Sequence, residues 1–236
     1  MDTAAQISLT TWNSDVYEPS DDSFALVDAL LEQLPTILRE HTPRIVVEVG
    51  CGSGYVITSA ARALRAAAAA AAGAPAGGAA GGPARGGGCS FVAVDVSGPA
   101  LAATARTLAA HEVAGVDLVR SDLLTPLSRR LQGCVDLLLF NPPYVPTPDD
   151  ELLRPGIARA WAGGHRGRLV IDRLLPLLPA LLAPGGSCLM VTVLENEPEG
   201  IISEMAALGL AGSVVLQRFA DEECLKIVRL QKPAAG

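Results

Sequence analysis

Arg44-Ile45-Val46-Val47-Glu48-Val49-Gly50-Cys51-Gly52-Ser53-Gly54 decides how this chain is read. Arg44 to Gly50 is a short β-branched run, the pattern of a strand buried on both faces. Three glycines at alternate positions break it, and a helical pattern follows from Gly54 to Arg65. Strand, glycine turn and helix in that order are the opening unit of an α/β domain. Glycines in such a turn let backbone approach a ligand closely. The spacing is Gly-x-Gly-x-Gly, whereas a dinucleotide site prefers Gly-x-Gly-x-x-Gly, and Glu48 sits inside the strand end. The glycines alone leave two readings open, a ligand cradle or a tight strand–helix turn.

Outward from this unit, strand and helix patterns alternate. Further strands are predicted at Phe91–Asp95, Val116–Arg120, Val135–Phe140 and Ser187–Leu194. Val214–Phe219 and Cys224–Leu230 form a final pair, and the short turn Asp221-Glu222-Glu223 makes that pair an antiparallel hairpin. Helices are predicted at Glu18–Leu34, Pro99–His111, Arg168–Leu182 and Pro198–Leu208. Ser20, Asp21 and Asp22 supply the cap and first-turn acids of the first, and Pro176 and Pro179 kink or divide the third. The result is one domain over residues 1–236, with seven strands, mostly parallel, and helices on both faces. Residues 66–88 interrupt it with twelve Ala, eight Gly, two Pro and one Arg. The leading alanines prolong the preceding helix, and the rest reads as a flexible surface insertion within the domain.

Asp95 ends the second strand, where a carboxylate can take both hydroxyls of a ribose. It lies 41 positions after Gly54, or 18 once the 23-residue insertion is discounted. That is close to the ~20 of a strand–turn–helix–strand unit. Asp122, followed by Leu123, comes just after the third strand, where an adenine amino group could be met. Three acidic residues, Glu48, Asp95 and Asp122, therefore stand at the ends of successive strands.

Asn141-Pro142-Pro143-Tyr144 follows the fourth strand. Two consecutive prolines have no N–H to give a ladder, so the strand stops and leaves Asn141 at the carboxyl edge of the sheet. That edge is where open α/β sheets bind ligands. A side-chain amide, stiff carbonyls and an aromatic ring together suit one task, gripping a planar –NH2 group. Adenine and glutamine both carry one.

Composition narrows the class. The net charge of −7 gives no global attraction to nucleic acid or anionic membrane. The five cysteines are dispersed with no Cys-x-x-Cys pair, and the three histidines lack ligand spacing, which fits a reducing compartment and no metal site. No basic N-terminal segment precedes an apolar core, and no apolar run reaches the ~18 residues of a membrane span. A cytoplasmic location is expected, with the nucleus also compatible.

Together the glycine turn, Asp95, Asp122 and Asn141–Tyr144 resemble a class I, Rossmann-like S-adenosylmethionine-dependent methyltransferase acting on an amino nitrogen. Asp15-Val16-Tyr17-Glu18-Pro19-Ser20-Asp21-Asp22-Ser23-Phe24 resembles the N-terminal signature of HemK-like glutamine methyltransferases. Trp161-Ala162-Gly163-Gly164 with Gly167-Arg168 is similar to their eukaryotic and archaeal branch. The insertion and the short N-terminal extension depart from that family, whose bacterial members carry a separate helical substrate-binding domain. The resemblance implies N5-methylation of a glutamine in the Gly-Gly-Gln loop of a peptide-chain release factor. It also implies a small zinc-binding activator subunit, paired along a sheet edge. Tyr17, Pro19, Ser23, Glu48, Gly50, Gly52, Gly54, Asp95, Asp122, Leu123 and Asn141 would hold S-adenosyl-L-methionine, with Tyr17–Phe24 as a lid. Asn141, Pro142, Pro143 and Tyr144 would hold the substrate amide, with the Tyr144 ring packed on its plane, and S-adenosyl-L-homocysteine would be the product. Adenine methylation of DNA and lysine methylation are the other enzymatic readings. A scaffold with a degenerate site is the non-enzymatic one.

Overall fold

Seven strands form one sheet in the computed structural model, which describes residues 3–73, 88–148, 161–220 and 223–234. They are β1 Ile45–Val49, β2 Ser90–Asp95, β3 Val116–Arg120, β4 Val135–Phe140, β5 Leu182–Thr192, β6 Ala211–Ala220 and β7 Glu223–Gln231. The order is β3-β2-β1-β4-β5-β7-β6. The β1 to β5 pairings are parallel, while β7 runs antiparallel to both β5 and β6. The chain lays β2 and β3 on one side of β1 and then crosses to β4 on the other. That reversal opens a crevice at the carboxyl ends of β1 and β4, the usual ligand position in such sheets.

Burial explains the strands' composition. All six residues of β4 are buried, Asp136 among them. That carboxylate accepts the backbone N–H groups of Arg44 and Ile45, each at 2.7 Å, and lies against His41. A buried acid is thus satisfied at the amino end of the sheet, away from the cleft.

The four longer helices are α1 Asp21–Glu40, α2 Tyr55–Ala71, α3 Gly98–Ala110 and α4 Pro198–Ala207. α1 starts three residues later than its pattern predicts, and the Ser20 side chain makes no cap hydrogen bond. It also runs past Leu34, through Pro35. Proline deletes one backbone bond. Burial of Leu34 and Ile37, and the Glu40 bonds to Arg229 and Gln231 at 2.5 and 2.9 Å, hold the last turns in place. The helix predicted at Arg168–Leu182 is three short turns, Ile171–Leu174, Leu175–Leu177 and Leu178–Leu181, with Pro176 and Pro179 as the second residues of the last two. Strand β5 begins earlier than predicted. Val135 pairs with Leu182 but Leu137 with Ser187, so residues 183–186 bulge from the ladder. Gly186 permits this, since a Cβ there would stand 2.6 Å from the Val135 carbonyl oxygen. α2 absorbs the leading alanines of the low-complexity tract, and residues 74–87 of that tract lie outside the described residues, as do Asp221 and Glu222 of the hairpin turn. Among the described residues no helix is long and apolar enough to cross a membrane.

Gly54 caps α2 in the left-handed region at φ +80°, and a Cβ on it would lie 2.8 Å from the Thr104 Cα of α3. Gly54→Ala should therefore destabilise the fold by about 2 kcal/mol or more, from backbone strain and separation of α2 from α3. Urea unfolding with an unchanged m-value would show it, and an unchanged midpoint would contradict it.

Candidate active site

The sheet order aligns the predicted residues across neighbouring strand ends. Asp122 follows β3, Asp95 ends β2, Glu48 and Gly50 mark the end of β1, and Asn141 follows β4. They share a cleft of about 830 Å³. At its floor the glycine turn folds back on β2, where Gly50 N and Cys51 N both donate to the Val94 carbonyl. Gly50 and Gly52 have φ of +73° and +50°. A Cβ on Gly50 would come 3.8 Å from the Asn141 carbonyl oxygen, so the cofactor turn and the proline turn meet there.

Asp95 accepts Gly52 N at 3.0 Å on one oxygen and Ser97 N at 2.8 Å on the other. A carboxylate has about four acceptor sites, so capacity for two hydroxyls remains. Burial raises its pKa, offset in part by those backbone donors. Glu48 is 2% exposed and accepts Ile57 N, in the first turn of α2, at 2.9 Å. Burial holds its carboxyl well above the usual range, and Asp95 adds to the rise. Asp122 pairs with Arg173 at 2.7 Å, and Leu123 beside it is buried with φ +53°.

At the mouth, Asn141 Nδ2 points to Ser23 Oγ at 3.5 Å, while its Oδ1 is buried with no partner. Ser121 Oγ, from another cleft residue, is the same. Buried oxygens left without partners in a cleft mark where a ligand's donors belong. Asp22, 4% exposed, is the hub of this end. Its Oδ2 accepts Tyr17 Oη at 3.0 Å and Tyr144 Oη at 3.3 Å, and its Oδ1 accepts Ser23 N at 2.5 Å. Tyr144 also reaches Glu223 Oε2 at 3.4 Å. Burial and the two acids raise the Tyr144 phenol pKa, and burial together with Asp22 and Glu195 raises that of Glu223. Behind the turn, Gly163 lies against the Pro143 carbonyl and Gly167 against that of Tyr144, with would-be Cβ distances of 2.6 and 1.7 Å. The Trp161–Arg168 segment is therefore glycine-rich because it clamps Asn141–Tyr144.

Most of the sequence-predicted residues line the cleft; Pro19 and Gly54 do not. Pro19 is buried outside it, and Gly54 is occupied with α3. Sequence reasoning passed over Asp22, treating it as an ordinary first-turn acid. A signal was available, because Asp22 stands one turn ahead of Leu26 and two ahead of Leu30 on the buried stripe of α1. It also missed Arg173, which turns Asp122 into an ion pair.

No protein-family model matches the chain. Methyltransferase HEMK2 of Mus musculus is 39% identical over 218 residues, covering 92% of this chain and 90% of the mouse protein. The chain belongs to the HEMK2 family of methyltransferases. The eRF1 methyltransferase catalytic subunit mtq2 of Schizosaccharomyces pombe is 32% identical over 228 residues, covering 92% of this chain and 90% of that one. Among solved structures, the E. cuniculi Mtq2-Trm112 complex, described as methylating the eRF1 translation termination factor, superposes with a TM-score of 0.59 at 27% identity. That match covers 92% of this chain and 99% of the other. The HEMK2-family enzyme described here is thus a Rossmann-like methyltransferase using an S-adenosylmethionine-type cofactor. The free acceptor capacity of Asp95 and the unpartnered Ser121 Oγ fit such a group.

A raised carboxyl pKa contributes stability that is fully present below the unfolded value of about 4.3 and is lost as pH rises through the folded value. Glu48→Gln keeps an acceptor for Ile57 N and removes the buried charge. Its ligand-free Tm should exceed that of the parent by roughly 2–4 °C at pH 8 and by less at pH 5, while calorimetric affinity for S-adenosyl-L-methionine falls. An equal Tm change at both pH values would remove the electrostatic account.

Proposed function

We propose that this enzyme transfers a methyl group from S-adenosyl-L-methionine to the side-chain nitrogen of a glutamine, in the Gly-Gly-Gln loop of a peptide-chain release factor. The buried, partnerless Asn141 Oδ1, next to the carbonyl of Pro142 at the cleft mouth, carries the reading. An amide nitrogen is a poor nucleophile, because its lone pair is delocalised into the carbonyl. The cofactor supplies an activated sulfonium methyl. The chain's task is to place the nitrogen in line with it at near-attack distance. Asn141 Oδ1 accepts one amide N–H and Pro142 O the other, which orients the nitrogen and favours the charge it gains. The proton becomes acidic once the methyl is attached, so no strong general base is needed. Asp22 and Glu223 hold the Tyr144 hydroxyl, fixing the ring as a wall of the amide site. Asp95 takes the ribose hydroxyls, and Glu48, Gly50 and Ser23 stand at the methionine end.

The carboxylates of Asp22 and Glu223 beside Tyr144 favour one second reading, a lysine amine as methyl acceptor. Product analysis with labelled cofactor separates it from glutamine. DNA adenine receives no support from a chain of net charge −7.

The enzyme is proposed to work as a heterodimer with the small zinc-binding activator, in the cytoplasm or the nucleus. The relative solved with Trm112 supports the pairing, as does the open edge at β3, where Leu118 is 36% exposed.

Asn141→Ala should lower methyl transfer to purified release factor by about 10²–10³ while calorimetric cofactor affinity changes by no more than about threefold. Retained methylation, read by mass spectrometry of the glutamine, would sink the mechanism. Asp95→Ala should weaken cofactor affinity by about 10-fold or more, the loss of hydrogen bonds to a charged acceptor; unchanged affinity would remove Asp95 from the site. Leu118→Asp should cut co-purification of the partner, and undiminished complex would exclude the β3 edge.

A further inference from the structure

Pro142 and Pro143 have no N–H, so the turn after β4 cannot be fixed by donating to a neighbouring strand. Its exit is held through a carbonyl instead. Asn196 is completely buried, in the short turn Leu194–Asn196 that follows β5. Its Nδ2 donates to the Tyr144 carbonyl at 2.9 Å and to the Arg166 carbonyl at 2.8 Å. Its Oδ1 accepts Val193 N at 2.8 Å. Two carbonyls on one side and an N–H on the other dictate which way the amide faces. Gly167 packs into the same spot, where a Cβ would stand 2.5 Å from Asn196 Nδ2. One side chain thus ties together the end of β5, the glycine-rich loop and the last residue of the Asn141–Tyr144 turn. Asn196 itself does not line the cleft.

We propose that Asn196 is a positioning residue for methyl transfer. By fixing the Tyr144 carbonyl it sets where the Asn141 amide and the Pro142 carbonyl stand. This rests on the assignment of Asn141 as the group that grips the substrate amide. A displacement of about 1 Å in a reacting group can cost about a hundredfold in rate. Loss of both Asn196 donors should accordingly appear in kcat, not in KM or cofactor affinity.

The test is Asn196→Asp in the enzyme co-expressed with its small partner. Aspartate keeps the shape and the acceptor for Val193 N, but sets a carboxylate against two carbonyls. Active sites are counted by calorimetric cofactor stoichiometry, so unfolded chain does not enter kcat. The expected result is a kcat about a hundredfold lower, with cofactor Kd and substrate KM within about threefold. Buried among acceptors, the new carboxyl has a raised pKa, and its protonation restores one donor. The variant-to-parent kcat ratio should therefore climb about tenfold from pH 8 to pH 6. A kcat within about twofold of the parent, or a loss confined to KM, overturns the proposal. Asn196→Ser, whose shorter side chain withdraws from both carbonyls without adding a charge, is read by the same kcat and KM criteria if the aspartate variant binds no cofactor. Loss of cofactor binding in both makes Asn196 a general folding residue and also overturns it. Asn141→Ala is run alongside. If that variant stays active the glutamine-gripping reading fails; if it is dead while Asn196→Asp keeps full kcat, only the positioning role fails.

Discussion

A strand that ends in two prolines cannot be anchored by its own donors, and the rest of this site is arranged around that constraint. β4 carries its last residue, Phe140, into the core, and the chain then has to turn sharply at the cleft with no N–H at 142 or 143. What holds the turn comes from elsewhere. Gly163 and Gly167 press on its carbonyls, Val145 exchanges backbone bonds with residues 161 and 163, and Asp22 grips the Tyr144 hydroxyl. Rigidity at the turn is therefore supplied by two separate segments of the chain, residues 161–167 and the start of α1.

The same cleft concentrates acid. Glu48, Asp95, Asp22 and Glu223 all lie on or beside it, and burial raises Glu48, Asp95 and Glu223 above their ordinary pKa values. Removing carboxylates from water is unfavourable, so they persist here because backbone N–H groups and phenols receive them. A sulfonium carries positive charge, and so does a nitrogen while it is being methylated. Acid that destabilises the free protein thus suits what the cleft is proposed to hold.

Much of this was legible in the sequence, for physical reasons. Apolar runs such as residues 135–140 have only one role in a small α/β domain, and glycine at alternate positions after a strand admits few backbone courses. Asp95 became readable once the alanine and glycine tract was discounted. What stayed hidden depends on tertiary contact. Pro35 reads as a helix stop, yet burial of Ile37 carries α1 past it. The bulge at 183–186 is set by where β4 leaves room, which no local pattern records. Asn196 sits in an unremarkable Leu-Glu-Asn-Glu segment, and its importance lies 52 residues away at Tyr144.

The position of the alanine and glycine tract has a consequence of its own. α2 starts at the cleft with Tyr55 and runs back to the amino end of the sheet, and β2 begins again at Ser90 from that same end. The tract therefore enters and leaves on the far side of the sheet from the chemistry. That makes the junction a natural place to graft a tag, a tether or a reporter domain into the intact enzyme.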